Sequence, residues 1–233
     1  MPRPFLTAAW RNLILANYRV PDDLLRPHLP PGTELDRRDG SAWASLVGFQ
    51  FHDTRVLGVS WPGYRHFPEW NLRFYVRHDG ERGVCFVREF VPQWFVATVA
   101  RVLYNEPYRT ARMTGRAEDG GSVMAAEYTV EWGGRTHRLS AVGDQPAVRP
   151  GSDTAEYWFK EQRWGYGVTR RGRLLRYEVT HPEWEVYPVR SFTADVDWGT
   201  LYGPQWTAMT KTQPASVMLV AGSAVQVFPY GTR

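Results

Sequence analysis

The feature that most restricts this chain is its punctuation. Short alternating or apolar runs recur along it, and most are closed by glycine beside a turn-forming residue. Asp39-Gly40, Asp79-Gly80, Asp119-Gly-Gly121 and Gly133-Gly134 are the clearest cases. Asp-Gly and Gly-Gly supply the positive φ that tight hairpin turns require. Between such turns the pattern has period two. In Asn12–Val20, residues Ile14, Ala16, Tyr18 and Val20 share one face, with Leu13, Leu15, Asn17 and Arg19 on the other. Further strands are expected at Glu34–Asp36, Ala42–Phe51, Leu72–Arg77, Gly83–Phe90, Tyr108–Thr114, Ser122–Trp132, Thr136–Ser140, Gly165–Thr169, Arg173–Thr180 and Glu185–Val189. Ser216–Val220 and Ala224–Phe228 read as a last hairpin, turned at Ala221-Gly222-Ser223. Helices are few. One short helix is expected over Pro21–Leu25 with Asp22 as its cap. Others are expected over Pro92–Leu103 and Asp153–Arg163, the latter with Asp153 and Glu156 in capping-box spacing. Val56–Phe67, Val142–Gly151 and Val196–Gln213 read as irregular. Many short strands with few helices indicate an antiparallel sandwich or barrel, and the spacing leaves both open. With 233 residues and no linker or repeat, a single domain over 1–233 is expected.

Composition removes several functions. The chain is 43% apolar and 22% charged, too apolar for disorder. Net charge is +4 and the pI about 9.3, which raises a nucleic-acid reading. The basic residues are scattered, however, and only two of the 28 cationic side chains are lysines, Lys160 and Lys211. No nucleic-acid partner is expected. No apolar run approaches the ~18 residues of a membrane span, and the first residues carry no secretory pattern. Cys85 stands alone, so no internal disulfide forms. A cytoplasmic protein is the expectation, with Cys85 a buried, inert thiol. The six histidines show no close ligand spacing, so no metal is expected. Neither a phosphate-binding loop, a dinucleotide fingerprint nor a nucleophile elbow is present. No cofactor is expected.

Chemistry concentrates in two stretches. In the first, Glu69, Asn71 and Arg73 alternate with Trp70, Leu72 and Phe74, so a strand here has one polar face and one apolar face. Two readings stand: a solvated face with a Glu–Arg pair, or a polar row pointing into a small barrel while the apolar row packs under a helix. The second stretch runs from Arg101 to Met113. Pro107 breaks it, forcing a boundary that presents neighbouring side chains. Arg73, Arg101 and Arg109 are candidates for a carboxylate clamp, since guanidinium binds carboxylate through two parallel hydrogen bonds. Lys160 is placed on a surface helix and Lys211 in a polar loop.

The segment Ala100-Arg101-Val-Leu-Tyr104-Asn-Glu106-Pro107-Tyr108-Arg109 resembles the Gly-Arg-Glu-x-x-Gly-x-Pro-Lys-Lys segment of acetoacetate decarboxylases. Arginine and proline keep their separation, but Tyr108 and Arg109 stand where that family has its imine-forming lysine and the lysine that lowers its pKa. The motifs Glu69-Trp-Asn71-Leu-Arg73-Phe-Tyr75, Gly83-Val-Cys-Phe86, Ala111-x-Met113, Glu161-Gln-Arg163 and His181-Pro182-x-Trp184 are similar to the YqjF-like branch of the same superfamily. The resemblance implies a closed, antiparallel β-barrel with a few covering helices, assembled as a homo-oligomer. It implies a small organic acid or carbonyl compound as ligand, with Glu69 and Tyr108 catalytic and Asn71, Arg73, Arg101 and Arg109 binding. It does not imply decarboxylation through an imine, because a phenol forms none. Lyase- or isomerase-type chemistry, a non-catalytic sensor, and an interaction protein using a Trp-rich surface stay open.

Overall fold

The computed structural model describes residues 3–93 and 107–230. Strand β1 (Leu6–Arg19) has both edges paired, which makes it the spine of the fold. It is followed by the short helix α1 (Asp22–Leu25) and by strands β2 (Glu34–Leu35), β3 (Arg37–Arg38), β4 (Ser41–Val56), β5 (Phe67–His78) and β6 (Glu81–Val91). Then come β7 (Tyr108–Thr110), β8 (Arg112–Asp119), β9 (Val123–Trp132) and β10 (Arg135–Asp144). Helix α2 (Ala155–Lys160) leads into β11 (Trp164–Val168), β12 (Leu174–Thr180), β13 (Val186–Tyr187) and β14 (Val189–Asp195). Helix α3 (Trp198–Tyr202), a 3-10 helix (Pro204–Lys211) and β15 (Ser216–Tyr230) complete the described chain.

The larger sheet runs β2-β5-β4-β1-β15-β12-β11-β6-β7, and β5 also pairs with β6, so the path of pairings returns on itself. β14-β10-β9-β8 form a second sheet. The protein is mainly β, as the turn pattern indicates. Two pairings depart from the antiparallel expectation: β6 runs parallel to both β11 and β7.

Two separate cores follow from this layout. One lies between the larger sheet and the second sheet, and includes Trp70, Leu72, Phe74, Tyr128, Leu139, Trp198 and Trp206. The other lies inside the ring of pairings, with Leu13, Val47, Phe49, Phe51, Phe67, Tyr75 and Phe159. Burying each such side chain contributes roughly 1.5–3 kcal/mol. The apolar row of β5 therefore packs under a sheet and the Trp-rich segment, not under a lone helix. The Trp70 indole donates to the Tyr202 hydroxyl at 2.9 Å and ties these layers together. Trp198 and Trp206 are buried, which removes them from any interaction surface.

Several local expectations need correction. Asp22 does not cap α1; the cap position is Pro21, with no side-chain bond. Thr154, not Asp153, caps α2, its hydroxyl accepting from the Tyr157 amide. The partner of β4 across Asp39-Gly40 is Arg37–Arg38, because Glu34–Leu35 is drawn away to pair with β5. β10 continues to Asp144, held by β9 and β14 on its two sides. Tyr108–Thr114 is two strands in different sheets, divided at Ala111. Most of the Pro92–Leu103 helix, and with it Arg101, lies outside the described residues.

The last hairpin is instead a single strand, β15. Gly222 has φ +76 and pairs in register with Arg11, next to Asn12 at φ 55. The chain bends here against β1 rather than reversing. A Cβ on Gly222 would lie 2.1 Å from the Trp10 carbonyl oxygen, which is backbone and cannot yield. Gly222→Ala is expected to destabilise the protein by about 1–3 kcal/mol through strain at this φ. A differential scanning calorimetry trace should show Tm lowered by roughly 3–10 °C; an unchanged Tm would mean the two strands can part at this point.

Candidate functional site

A cavity of about 430 Å³ lies inside the ring of pairings. Its polar wall is built by β5, β6 and β7. The period of two turns Glu69, Asn71 and Arg73 inward, and all three are buried. Across the pairing, Asn71 sits opposite Glu89, and Glu89 opposite Tyr108, so one polar row crosses three strands. Of the two readings the alternation allowed, the inward row is the one observed.

The Glu69 carboxylate is held from both sides. Asn71 Nδ2 donates to Oε1 at 2.9 Å, and the Tyr108 hydroxyl donates to Oε2 at 3.0 Å. Burial pushes the Glu69 carboxyl up from an ordinary 4.5 to about 7, and the two hydrogen bonds pull the other way. Burial also moves the Tyr108 phenol well above its ordinary range, with the charges of Glu69 and Glu89 adding to the effect. The phenol is thus a firm donor, and Glu69 is a group that exchanges its proton near neutrality.

Arg73 lies deeper along β5. Its Nη2 donates to the Phe159 carbonyl at 2.9 Å, while its Nε has no partner. No carboxylate among the described residues pairs with it. Asn71 Oδ1 and Gln162 Oε1 are likewise buried on the cavity wall without a hydrogen-bond partner. Buried polar atoms are rarely left so. They mark the positions where a ligand or water would bond.

A second cluster meets the same cavity. Lys160, expected on a surface, is buried at the C-terminal end of α2 and lines the wall. Its Nζ donates to Glu161 Oε1, which also accepts the Trp184 amide at 3.1 Å. His181 Nδ1 lies 3.9 Å from Glu161 Oε2, and its ring stacks on Trp184 with centroids 3.9 Å apart. Burial lowers the His181 pKa from its ordinary value, and the positive charges of Lys160 and Arg73 act in the same direction. The Glu161-Gln-Arg163 and His181-Pro182-x-Trp184 motifs, distant in sequence, are therefore one structural unit.

The remaining candidates separate. Arg109 follows Tyr108 on β7 and so faces the other way; it is exposed, and its Nη1 contacts only the Tyr108 carbonyl at 3.3 Å. It does not line the cavity and cannot clamp a ligand there. Arg101 is outside the described residues. His52 and His66, which the sequence left unpaired, meet edge to face at 5.2 Å. Among the described residues no group of three or more metal-ligating side chains forms, and no helix is long and apolar enough to cross a membrane.

The sequence did not mark Glu89, Lys160, Gln162 or His181 as cavity residues; Gln162 and His181 entered only as members of motifs, and Lys160 was expected on a surface. For Glu89 the reason is a bulge. Arg73 pairs with Phe86 and Leu72 with Arg88, which leaves Val87 as an extra residue. Strict alternation from Val84 and Phe86 would turn Arg88 inward. The bulge turns Glu89 inward instead, and Arg88 reaches out to the Leu201 carbonyl.

The model of the DUF2071 family, described as an uncharacterized conserved protein, matches residues 7–224. The uncharacterized protein YqjF of Bacillus subtilis (strain 168) is 29% identical over 180 residues, covering 75% of this chain and 72% of that one. Among solved structures, the enduracididine biosynthesis enzyme MppR complexed with pyruvate superposes with a TM-score of 0.66 at 18% identity, covering 100% of this chain and 90% of that one. Acetoacetate decarboxylase from Legionella pneumophila gives 0.65 at 14% identity, covering 99% and 87%. At these identities the solved structures show the fold: it is of the acetoacetate decarboxylase-like kind.

The raised pKa of Glu69 has a consequence for stability. Folded, the group keeps its proton up to about pH 7; unfolded, it loses it near 4.5. The folded state binds the extra proton in between, so this stabilisation is complete below about 4.5 and is lost as pH rises through about 7. The loss is on the order of 3 kcal/mol. Urea unfolding at low and high pH should show Glu69→Gln losing less stability than wild type across that window. Parallel losses in both proteins would show that Glu69 ionises without penalty.

Proposed function

The chain belongs to the DUF2071 family, and we propose that its cavity binds a small organic acid or carbonyl compound and acts on it without an imine. We take the ring of pairings as a closed barrel around that cavity. Glu69 is the general acid or base, Tyr108 donates a hydrogen bond to a developing oxyanion, and Arg73 receives an anionic group. The observation that carries this is the Glu69 carboxyl: buried on a cavity wall, bonded to Tyr108 and Asn71, with a pKa of about 7. A structural carboxylate is more economically kept ionised or absent. One that titrates near neutrality inside a cavity suits proton transfer.

The pyruvate complex of MppR supports the ligand class, since it is a keto acid bound by a protein of this fold. The imine is disfavoured on two grounds. Tyr108 stands where the related segment has its lysine. Lys160, although on the wall, has its Nζ engaged by Glu161, which ties up the amine an imine would need.

Turnover of a panel of keto, enol and hydroxy acids provides the test. Glu69→Gln should lower kcat by ~10²–10⁴-fold, and the wild-type rate should titrate with an apparent pKa near 7. Unchanged turnover in both Glu69→Gln and Tyr108→Phe would dismiss the site. Ligand that binds through these residues without being consumed would mark a sensor or carrier. Borohydride added with acetoacetate is expected to leave the mass of the protein unchanged; an adduct on Lys160 would overturn the imine-free reading.

A further inference from the structure

The cavity is larger, and more apolar, than a four-carbon acid needs. Sites of about 300–1,000 Å³ accommodate drug-sized molecules, and this one measures about 430 Å³. Its polar groups gather on β5, β6 and β7 and around the end of α2, where Lys160, Gln162 and His181 stand. Arg73 stands farthest along β5, beside the Phe159 carbonyl; Glu69 is nearer the start of β5; and Phe67 precedes both. Arg73 and Phe67 are six residues apart on one strand face, a span of ~20 Å at ~3.3 Å per residue. Beside this row, on the same face of the sheet, β4 contributes Val47, Phe49 and Phe51, which pair in register with Asn71, Glu69 and Phe67. Phe51 stacks on Phe67 with centroids 4.6 Å apart. Beyond them the wall continues into the 57–66 connection. There Leu57 and Val59 line the cavity yet are 73% and 51% exposed. They are the apolar rim of an opening, set on a strand-end loop anchored by the Leu57 amide to the Phe5 carbonyl at 2.7 Å.

We propose that the ligand is amphipathic: a carboxylic acid whose head binds at Arg73 and whose alkyl or aryl-alkyl tail runs past Phe51 and Phe67 to leave between Leu57 and Val59. Two independent features converge on it. The buried Arg73 guanidinium at one end of the row lacks a carboxylate partner among the described residues, and the other end opens between exposed apolar side chains. This inference rests on reading the cavity as an organic-acid site, and it adds the tail.

Isothermal titration calorimetry with straight-chain saturated acids of four to eighteen carbons, the longest of which match the ~20 Å between Arg73 and Phe67, separates the two. Affinity should tighten by about fourfold per added methylene while the tail stays inside the cavity. The corresponding primary amides should bind at least ~10-fold more weakly, as expected where a charge-assisted pair is lost. Arg73→Met should erase the preference for acid over amide and keep the dependence on length. Val59→Asp, a change at an exposed position, should weaken the long acids and leave the short ones unaffected. Short acids that bind with no gain from added carbons would overturn the tail and leave the acid site standing. Absence of binding at every length would overturn both.

Discussion

Everything at this site follows from β5 lying between two cores. A strand has two faces, and here neither meets water. The outward face has to be apolar because it sits under the second sheet; Trp70, Leu72 and Phe74 meet that demand. The inward face carries Glu69, Asn71 and Arg73 into a cavity whose remaining lining is mostly aromatic and aliphatic side chains. Burying a carboxylate without compensation costs several kcal/mol. Two hydrogen bonds offset part of this cost, and the rest appears as the upward displacement of its pKa. The register of β6, with its bulge, and the parallel addition of β7 then decide which side chains stand beside it. A one-residue slip of either strand would replace Glu89 or Tyr108 with an arginine that now faces outward.

How much of this was legible follows from the range of each signal. Turn chemistry is local, so the turns at Asp39-Gly40 and Asp79-Gly80 were read correctly, both pairs having positive φ, although the strand before the first is Arg37–Arg38. Alternation is local too, and it identified the Glu69–Arg73 row. What lay opposite the row is not local. The same glycine cue that marks a hairpin at Asp79-Gly80 marks a bend at Gly222, and only the neighbouring Trp10 carbonyl distinguishes them. Glu89 was hidden by a bulge that depends on the partner strand. Lys160 looked solvated because a six-residue helix has no amphipathic pattern long enough to reveal its buried side. The motif resemblance supplied what periodicity could not: it linked Glu69, Tyr108, Glu161 and His181 to one fold before any contact among them was visible.

The likeness to acetoacetate decarboxylase and MppR extends over nearly the whole chain at 14–18% identity. Backbone architecture survives at such distances because it depends on pattern, whereas chemistry depends on a handful of atoms. Replacing an amine by the Tyr108 phenol removes a nucleophile and installs a donor whose proton stays in place. The polar wall accordingly contains one group that readily exchanges a proton, Glu69, beside one that holds its own, Tyr108. That asymmetry underlies the roles proposed for the two groups.

The charge state of the cavity sets the order of events on this reading. Near neutral pH Glu69 is divided between its two forms, while burial lowers the His181 pKa from its ordinary value. A ligand carboxylate arriving at Arg73 satisfies a guanidinium that has no anionic partner among the described residues. It also brings a negative charge into the cavity that Glu69 lines. Like charge disfavours ionisation, so binding shifts Glu69 towards its protonated form. Under the proposed function, an acid ligand would therefore prepare Glu69 to donate a proton first, whereas a neutral carbonyl compound would leave it free to accept one. The ligand's own charge would then choose the direction of proton transfer, through a carboxyl whose position the strand alternation dictates.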